Sequence, residues 1–271
     1  MAKNVTTSIS AFQNKIWNFY KENKRNFAWR ETRNPYEILI SEFMLQQTQT
    51  SRVIPKYHSF VKNFPTVSHL AKASLEDVLS TWQGLGYNRR ALYLKSAAET
   101  IEKDFNSLIP NDVKTLSSLK GIGINTAGAV IAFAFNKPVI FIETNIRRVF
   151  IHYFFGGKTN VDDKEILKVL EQTLDRKKPR EFYYALMDYG AHLSKIVTNP
   201  NRKSKHYSVQ SKFEGSSRQI RGKILQEILK GSTTILELEK LLNDDRTNNI
   251  VSQLIREGFV EIINERLFLK K

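Results

Sequence analysis

GIGINTAGAVIAFAFNKPVIFIETNIRRV, residues Gly121 to Val149, sets two glycines in a tight turn, follows them with an apolar helical run, and ends with one acid, Glu143, beside Asn145, Arg147 and Arg148. Glycine at 121 and 123 permits close backbone approach, and a helix that starts there aims bare N–H groups at an anion. A nucleic-acid phosphate fits such a turn, although two glycines before a helix also make an ordinary helix–helix connection. The charge favours the first reading. The 42 Lys and Arg stand against 27 Asp and Glu, a net +15, which points to a polyanionic partner, with nucleic acid ahead of an anionic membrane.

Outward from this stretch, helical periodicity dominates. Tyr36, Leu39, Ile40 and Phe43 follow the spacing of a buried helix stripe, and similar runs recur at Glu76 to Trp82, Ala91 to Ile101, Lys164 to Leu174 and Glu181 to Leu193. Asn34-Pro35, Gly84 to Gly86 and Pro110-Asn111 punctuate them. Thr198 to Gly222 carries six Lys/Arg against one acid and reads as a basic connector. Beyond it, QIRGKILQEILKG, TTILELEKLL and TNNIVSQLIREG predict three short helices, and VEIINERLFLK predicts two short strands around Asn264-Glu265. Three helices and a hairpin make a winged helix. The most apolar run, AGAVIAFAF, stops at Asn136-Lys137-Pro138, short of a bilayer span, so a soluble cytoplasmic protein is expected, nucleoid-associated in a prokaryote. There is no cysteine, which removes disulfides, thiolate catalysis and any all-cysteine zinc or iron–sulfur site. His152, His192 and His206 are too scattered to propose as ligands, so no metal or other cofactor is expected.

Several ordered blocks now add up: FAWRETRNPYEILISEFMLQQTQ, FPTVSHLA, TWQGLGYNRRA, LKGIGINTAGAV, IETNIRRV and YALMDYGA. Over roughly Phe27 to Ala191 the chain resembles the helix-hairpin-helix DNA glycosylases, and among them the MutY-like adenine glycosylases. The resemblance implies an all-α fold of two helical subdomains in residues 1–197. A basic connector (198–217) and a small C-terminal winged helix (218–271) complete the expected organisation. The implied partner is double-stranded DNA carrying a damaged or mismatched base, bound by a monomer. A base stacked in a duplex shields its glycosidic bond, so such an enzyme acts on a flipped nucleotide.

Residue by residue, Glu42 takes the place of the family's catalytic glutamate. Ile38 and Leu45 flank it on a largely apolar helix, where desolvation raises a carboxyl pKa and keeps a proton available for a departing purine; a glutamate on a wet face, paired with Arg52 or Arg30, is the bland alternative. Gln46, Gln47 and Thr48 stand where the family wedges into the duplex, and Tyr87 is the matching stacking residue. Asn88 follows it where many relatives carry a second aromatic. Arg89, Gly121, Gly123 and Arg147 complete the expected DNA contacts in this region, with Arg202, Lys203, Lys205 and Lys212 as further phosphate contacts in the connector.

Four departures qualify the resemblance. Asn125 replaces the lysine with which bifunctional relatives form a Schiff base, which favours simple hydrolysis. The four cluster-binding cysteines are absent. A Nudix-like C-terminal domain cannot fit in the remaining length. Glu143 stands in for an aspartate that stabilises positive charge on the sugar, with Asn145 available to orient it. Arg147 and Arg148 either hold the acid ionised or face phosphates. The expected function is monofunctional DNA N-glycosylase action in base excision repair, with adenine in a mismatch as the family default. An alkylated or otherwise modified base and mismatched thymine are the alternative substrates, and a non-catalytic lesion-binding protein is the alternative class.

Overall fold

The computed structural model describes residues 8–270, and its secondary structure is almost entirely helical. In chain order the helices are α1 (Ile9–Asn23), α2 (Ala28–Glu31), α3 (Pro35–Leu45), α4 (Thr50–Asn63), α5 (Val67–Lys72), α6 (Leu75–Trp82), α7 (Arg89–Asp104), α8 (Val113–Ser118), α9 (Ile124–Phe135), α10 (Thr144–Phe154), α11 (Asp163–Thr173) and α12 (Pro179–Ile196). After a short 3₁₀ turn at Pro200–Lys203 come α13 (Ser217–Lys230), α14 (Ile235–Leu242), α15 (Thr247–Arg256) and the strands β1 (Val260–Ile263) and β2 (Arg266–Leu269).

Contacts gather these elements into two units. One holds the chain up to Leu39, Asn111–Ser118 and Ile122–Val209; the other holds Ile40–Pro110, Leu119–Gly121 and everything from Gln210 on. Composition suggested boundaries after 197 and 217, whereas contacts break the chain at Val209. The winged helix falls in the unit that contains α4 to α7, where Glu257 bonds to Arg89 at the start of α7 and Arg218 and Gln210 bond to Tyr87 just before it.

In the first unit, α12 packs on α1, α9 and α10, and α8 packs on α9. Helix α9 is apolar all round and therefore buried from Ala127 to Phe133. Gly128 lets it lie against Phe141, whose Cβ would be 2.7 Å from an added methyl. The helix ends where Asn136 turns left-handed (φ 53°). Helix α11 starts at a capping box of Asp162 and Glu165.

Helix α3 begins with Pro35 in its first turn, and the Asn34 side chain accepts from the Tyr36 N–H at 3.0 Å. The predicted stripe of Tyr36, Leu39, Ile40 and Phe43 is buried. In the second unit α7 packs on α5 and α6. The winged helix buries Ile220, Ile224, Leu238, Val251, Leu254, Phe259 and Leu267. Its hairpin pairs Val260 with Leu269 and Ile263 with Arg266, and Asn264 and Glu265 take the left-handed conformation (φ 49° and 64°) of a tight two-residue turn.

Candidate active site

Glu143 is the N-cap of α10. One carboxylate oxygen accepts from the Ile146 N–H at 2.7 Å and the other from the Asn145 side-chain amide at 3.2 Å. Burial pushes its pKa up, opposed by the backbone N–H groups of Asn145 and Ile146 and then by Arg148 and Arg147. The half-buried acid is thus held by a helix N-terminus and an amide, an arrangement that can answer positive charge beside it.

Behind Glu143 the support is deep. Arg148 is buried, and it donates to Asn145 Oδ1 at 2.7 Å and to the Gly190 carbonyl at 2.8 Å, with Asn199 Oδ1 a further 3.5 Å partner. A guanidinium only donates, so it fixes the Asn145 amide with its NH₂ toward Glu143. Gly190 completes the layer. A methyl added there would meet the Asn145 carbonyl oxygen at 2.3 Å, so α12 and α10 touch backbone to backbone at this point. Arg147 instead forms a two-bond pair with Asp163, at 2.7 Å each. Arg148 thus reaches the acid through Asn145, while Arg147 is paired with Asp163.

Asn125 is exposed, and its side-chain oxygen accepts from the Ile142 N–H at 3.1 Å, tying the start of α9 to the residue before Glu143. Gly121 has φ 83°, and a methyl on it would lie 2.5 Å from the Tyr93 Cβ, so glycine is required there twice over. Gly123 needs it in neither sense: its φ is −78° and nothing lies near its missing Cβ. The space beside it is open to an approaching chain.

In the other unit, Glu42 is half-buried on α3. Of the partners weighed for it, Arg30 spends its guanidinium on Asp188 at 2.9 Å, and Arg52 donates to the Gly84 carbonyl. Gln46, Gln47 and Thr48 follow as a turn with Gln47 left-handed (φ 54°). A second turn carries Gly84 (φ 88°), Gly86 (φ 73°) and Tyr87 (φ 49°), the last conformation being unusual for a bulky residue. Asn88 is the N-cap of α7 without a side-chain capping bond.

One residue that sequence reasoning missed joins the two turns. The buried guanidinium of Arg90 donates to the carbonyls of Phe43, Met44, Gln46, Leu85 and Gly86 and to the Thr48 hydroxyl, at 2.6 to 3.4 Å. Burial draws its pKa down to about 10. Nothing in the sequence separates Arg90 from its exposed neighbour Arg89, because its partners lie up to 47 residues away. Gly190 and Asp188 were also missed. Asp188 is buried and takes Arg25 at 2.6 Å and Arg30 at 2.9 Å.

The segment that follows α12 folds without thiolates. The Asn201 side chain donates to the Thr144 carbonyl at 3.0 Å, and Val161 and Ser204 form a bridge whose backbone bonds run to Lys203 and Lys205. Together with Thr144, Arg147 and Arg148, residues Asn199, Asn201, Ser204, His206, Tyr207 and Ser208 line a polar pocket of about 220 Å³. Its amide, hydroxyl, guanidinium and imidazole groups do not fit an iron–sulfur cluster, which is held by cysteine thiolates. Arg202 is exposed, Lys203 donates to the Gly156 carbonyl, and Lys205 pairs with Asp162 at 3.1 Å. Among the described residues no helix is long and apolar enough to cross a membrane.

Against known proteins, residues 40–176 match the family model described as "HhH-GPD superfamily base excision DNA repair protein". The chain is 38% identical over 194 residues to an adenine DNA glycosylase of Buchnera aphidicola subsp. Baizongia pistaciae, covering 70% of this chain and 54% of that one. It is 32% identical over 277 residues to an adenine DNA glycosylase of Mycolicibacterium smegmatis, covering 94% and 93%. It therefore spans about half the length of the first relative and nearly all of the second. Among solved structures, a thermostable thymine-DNA glycosylase superimposes with a TM-score of 0.63 at 28% identity, over 68% of this chain and 86% of that one.

Proposed function

This chain belongs to the HhH-GPD superfamily of base excision DNA repair proteins, and we propose that it is a monofunctional DNA N-glycosylase that removes adenine from a mismatched duplex. Glu42 gives a proton to the departing purine as the bond between the base and C1′ of the sugar breaks. Glu143 stabilises the cationic sugar so formed. Water adds at C1′ and loses a proton, which leaves an abasic site and free base. The observation that carries this reading is the setting of Glu143, a half-buried carboxylate held at a helix N-terminus by the Ile146 N–H and by Asn145, which Arg148 in turn orients. Adenine as the substrate is supported by the relatives named above. Hydrolysis without strand cleavage is supported by Asn125, whose amide cannot form a Schiff base and is engaged with Ile142.

The proposed DNA contacts are Gln46, Gln47, Thr48, Tyr87 and Arg89 in one unit and, separately, the turn at Gly123 and Arg202 in the other. The test is a panel of duplexes, each with one lesion or mismatch, treated with purified protein and then with alkali. Strand breaks appear after alkali only, greatest for mismatched adenine, and Glu42→Gln and Glu143→Gln each lower them at least ~100-fold. The thymine mismatch is an arm of the same panel, since a thymine-DNA glycosylase shares the fold. Breaks before alkali, or full activity in both glutamine variants, would overturn the mechanism.

A further inference from the structure

The winged helix and the connector residue Gln210 reach the turn that carries Tyr87. Arg218, at the start of α13, donates to the Tyr87 hydroxyl at 2.9 Å, and the Gln210 side-chain amide donates to the same oxygen. The other guanidinium nitrogen of Arg218 is held by the Ser211 carbonyl at 2.7 Å. Two residues along the turn, Arg89 pairs with Glu257 at the end of α15, and Arg221 of α13 takes the other oxygen of that carboxylate. A tyrosine that served only as packing would not draw polar partners from 123 and 131 residues away. The turn itself is in the left-handed conformation at Tyr87 (φ 49°), which persists in a bulky residue only where its surroundings hold it.

Neither a guanidinium nor an amide N–H accepts a hydrogen bond, so the Tyr87 oxygen is the acceptor in both contacts and its own hydrogen is directed elsewhere. We propose that Arg218 and Gln210 are positioning residues that make the Tyr87 hydroxyl an oriented donor toward an acceptor on the bases of a duplex with one nucleotide extruded. The winged helix then takes part in discriminating damaged from intact DNA as well as in gripping it. This rests on the reading of Tyr87 as a residue that faces DNA.

The test uses the full chain and two duplexes, one intact and one bearing a stable abasic-site analogue, with affinity measured by fluorescence anisotropy. Tyr87→Phe and Arg218→Met should each reduce the preference for the abasic duplex by about 3- to 10-fold, the worth of one hydrogen bond. The double variant should lose no more than the larger single loss. Arg218→Lys, which keeps a donor, should recover part of it. Hydrogen exchange at residues 84–88 of the free protein should quicken in Arg218→Met. Additive losses, equal losses on both duplexes, a wild-type protein with no preference for the abasic duplex, or unchanged exchange would each overturn the proposal. A wild-type protein that prefers the abasic duplex yet releases no base from any duplex would leave it standing and overturn the proposed reaction instead.

Discussion

Arg90 and Arg148 are both buried arginines behind a candidate site, one in each unit, yet they are spent differently. Arg90 gives its hydrogen bonds to five carbonyls and a hydroxyl at the end of α3 and in two turns, so it determines the path of the backbone. Arg148 gives a central bond to Asn145, which touches Glu143, so it determines the orientation of a functional group. The same side chain, equally dry, acts as a template for loops in one place and as a support for chemistry in the other. The difference follows from what lies around each. Turns rich in left-handed residues expose unpaired carbonyls, while the N-terminus of α10 already supplies donors and lacks only a fixed amide.

The largest effects should come from removing the two arginines. Arg90→Met leaves several buried carbonyls without donors and should cost about 3–5 kcal/mol of stability in denaturant titration, with excision per folded molecule much less affected. Arg148→Met should lower single-turnover excision about 100-fold through misplacement of the Asn145–Glu143 pair, with a smaller loss of stability. If the two variants lose stability and rate in the same proportion, the contrast between them is false.

Gly190→Ala should come next, because the clash falls on a backbone oxygen that cannot swing aside. We expect about 1–3 kcal/mol of destabilisation together with slower excision, whereas Gly123→Ala, which meets nothing, should leave stability within ~0.5 kcal/mol. Comparable melting curves for the two alanine variants would refute this reading of the α10–α12 contact.

The smallest effect concerns Glu143 and sharpens the cost of a buried acid. Its folded pKa is raised, so between the ordinary glutamate value and that raised value the folded state holds a proton the unfolded state has lost, and wild-type stability falls as pH rises through the window. Glu143→Gln is free of this penalty. Calorimetry from about pH 4 to pH 8 should show the variant gaining a few degrees in Tm over wild type as pH rises, with little gain at the acid end. A difference that does not change with pH would contradict it.

Local features of the fold were legible in the sequence. The spacing of Tyr36, Leu39, Ile40 and Phe43 and the three helices and hairpin after Arg218 all read directly, because each is encoded within a few turns of chain. The unit boundary was not, since composition changes near Thr198 while the bonds that assign the winged helix run from Gln210, Arg218 and Glu257 to residues 87 and 89. At the site, Glu143 and Asn145 could be named from their motif, and their mutual bond follows from a spacing of two residues. The role of Arg148 reads from the sequence only as a choice, because Gly190 lies 42 residues away. Asn125 could be read only as the replacement of a Schiff-base lysine, since its bond to Ile142 depends on a fold-back between α9 and α10 that no periodicity reports.

The contact at Gly190 also bears on how such a site can change over generations. At position 143 the acid is met by a backbone N–H and an oriented amide, so any replacement there is constrained by those two donors. Position 190 faces a peptide oxygen and admits no carbon at all. Any change at the acid is therefore made around the point where α12 meets α10, which acts as a fixed datum for the site.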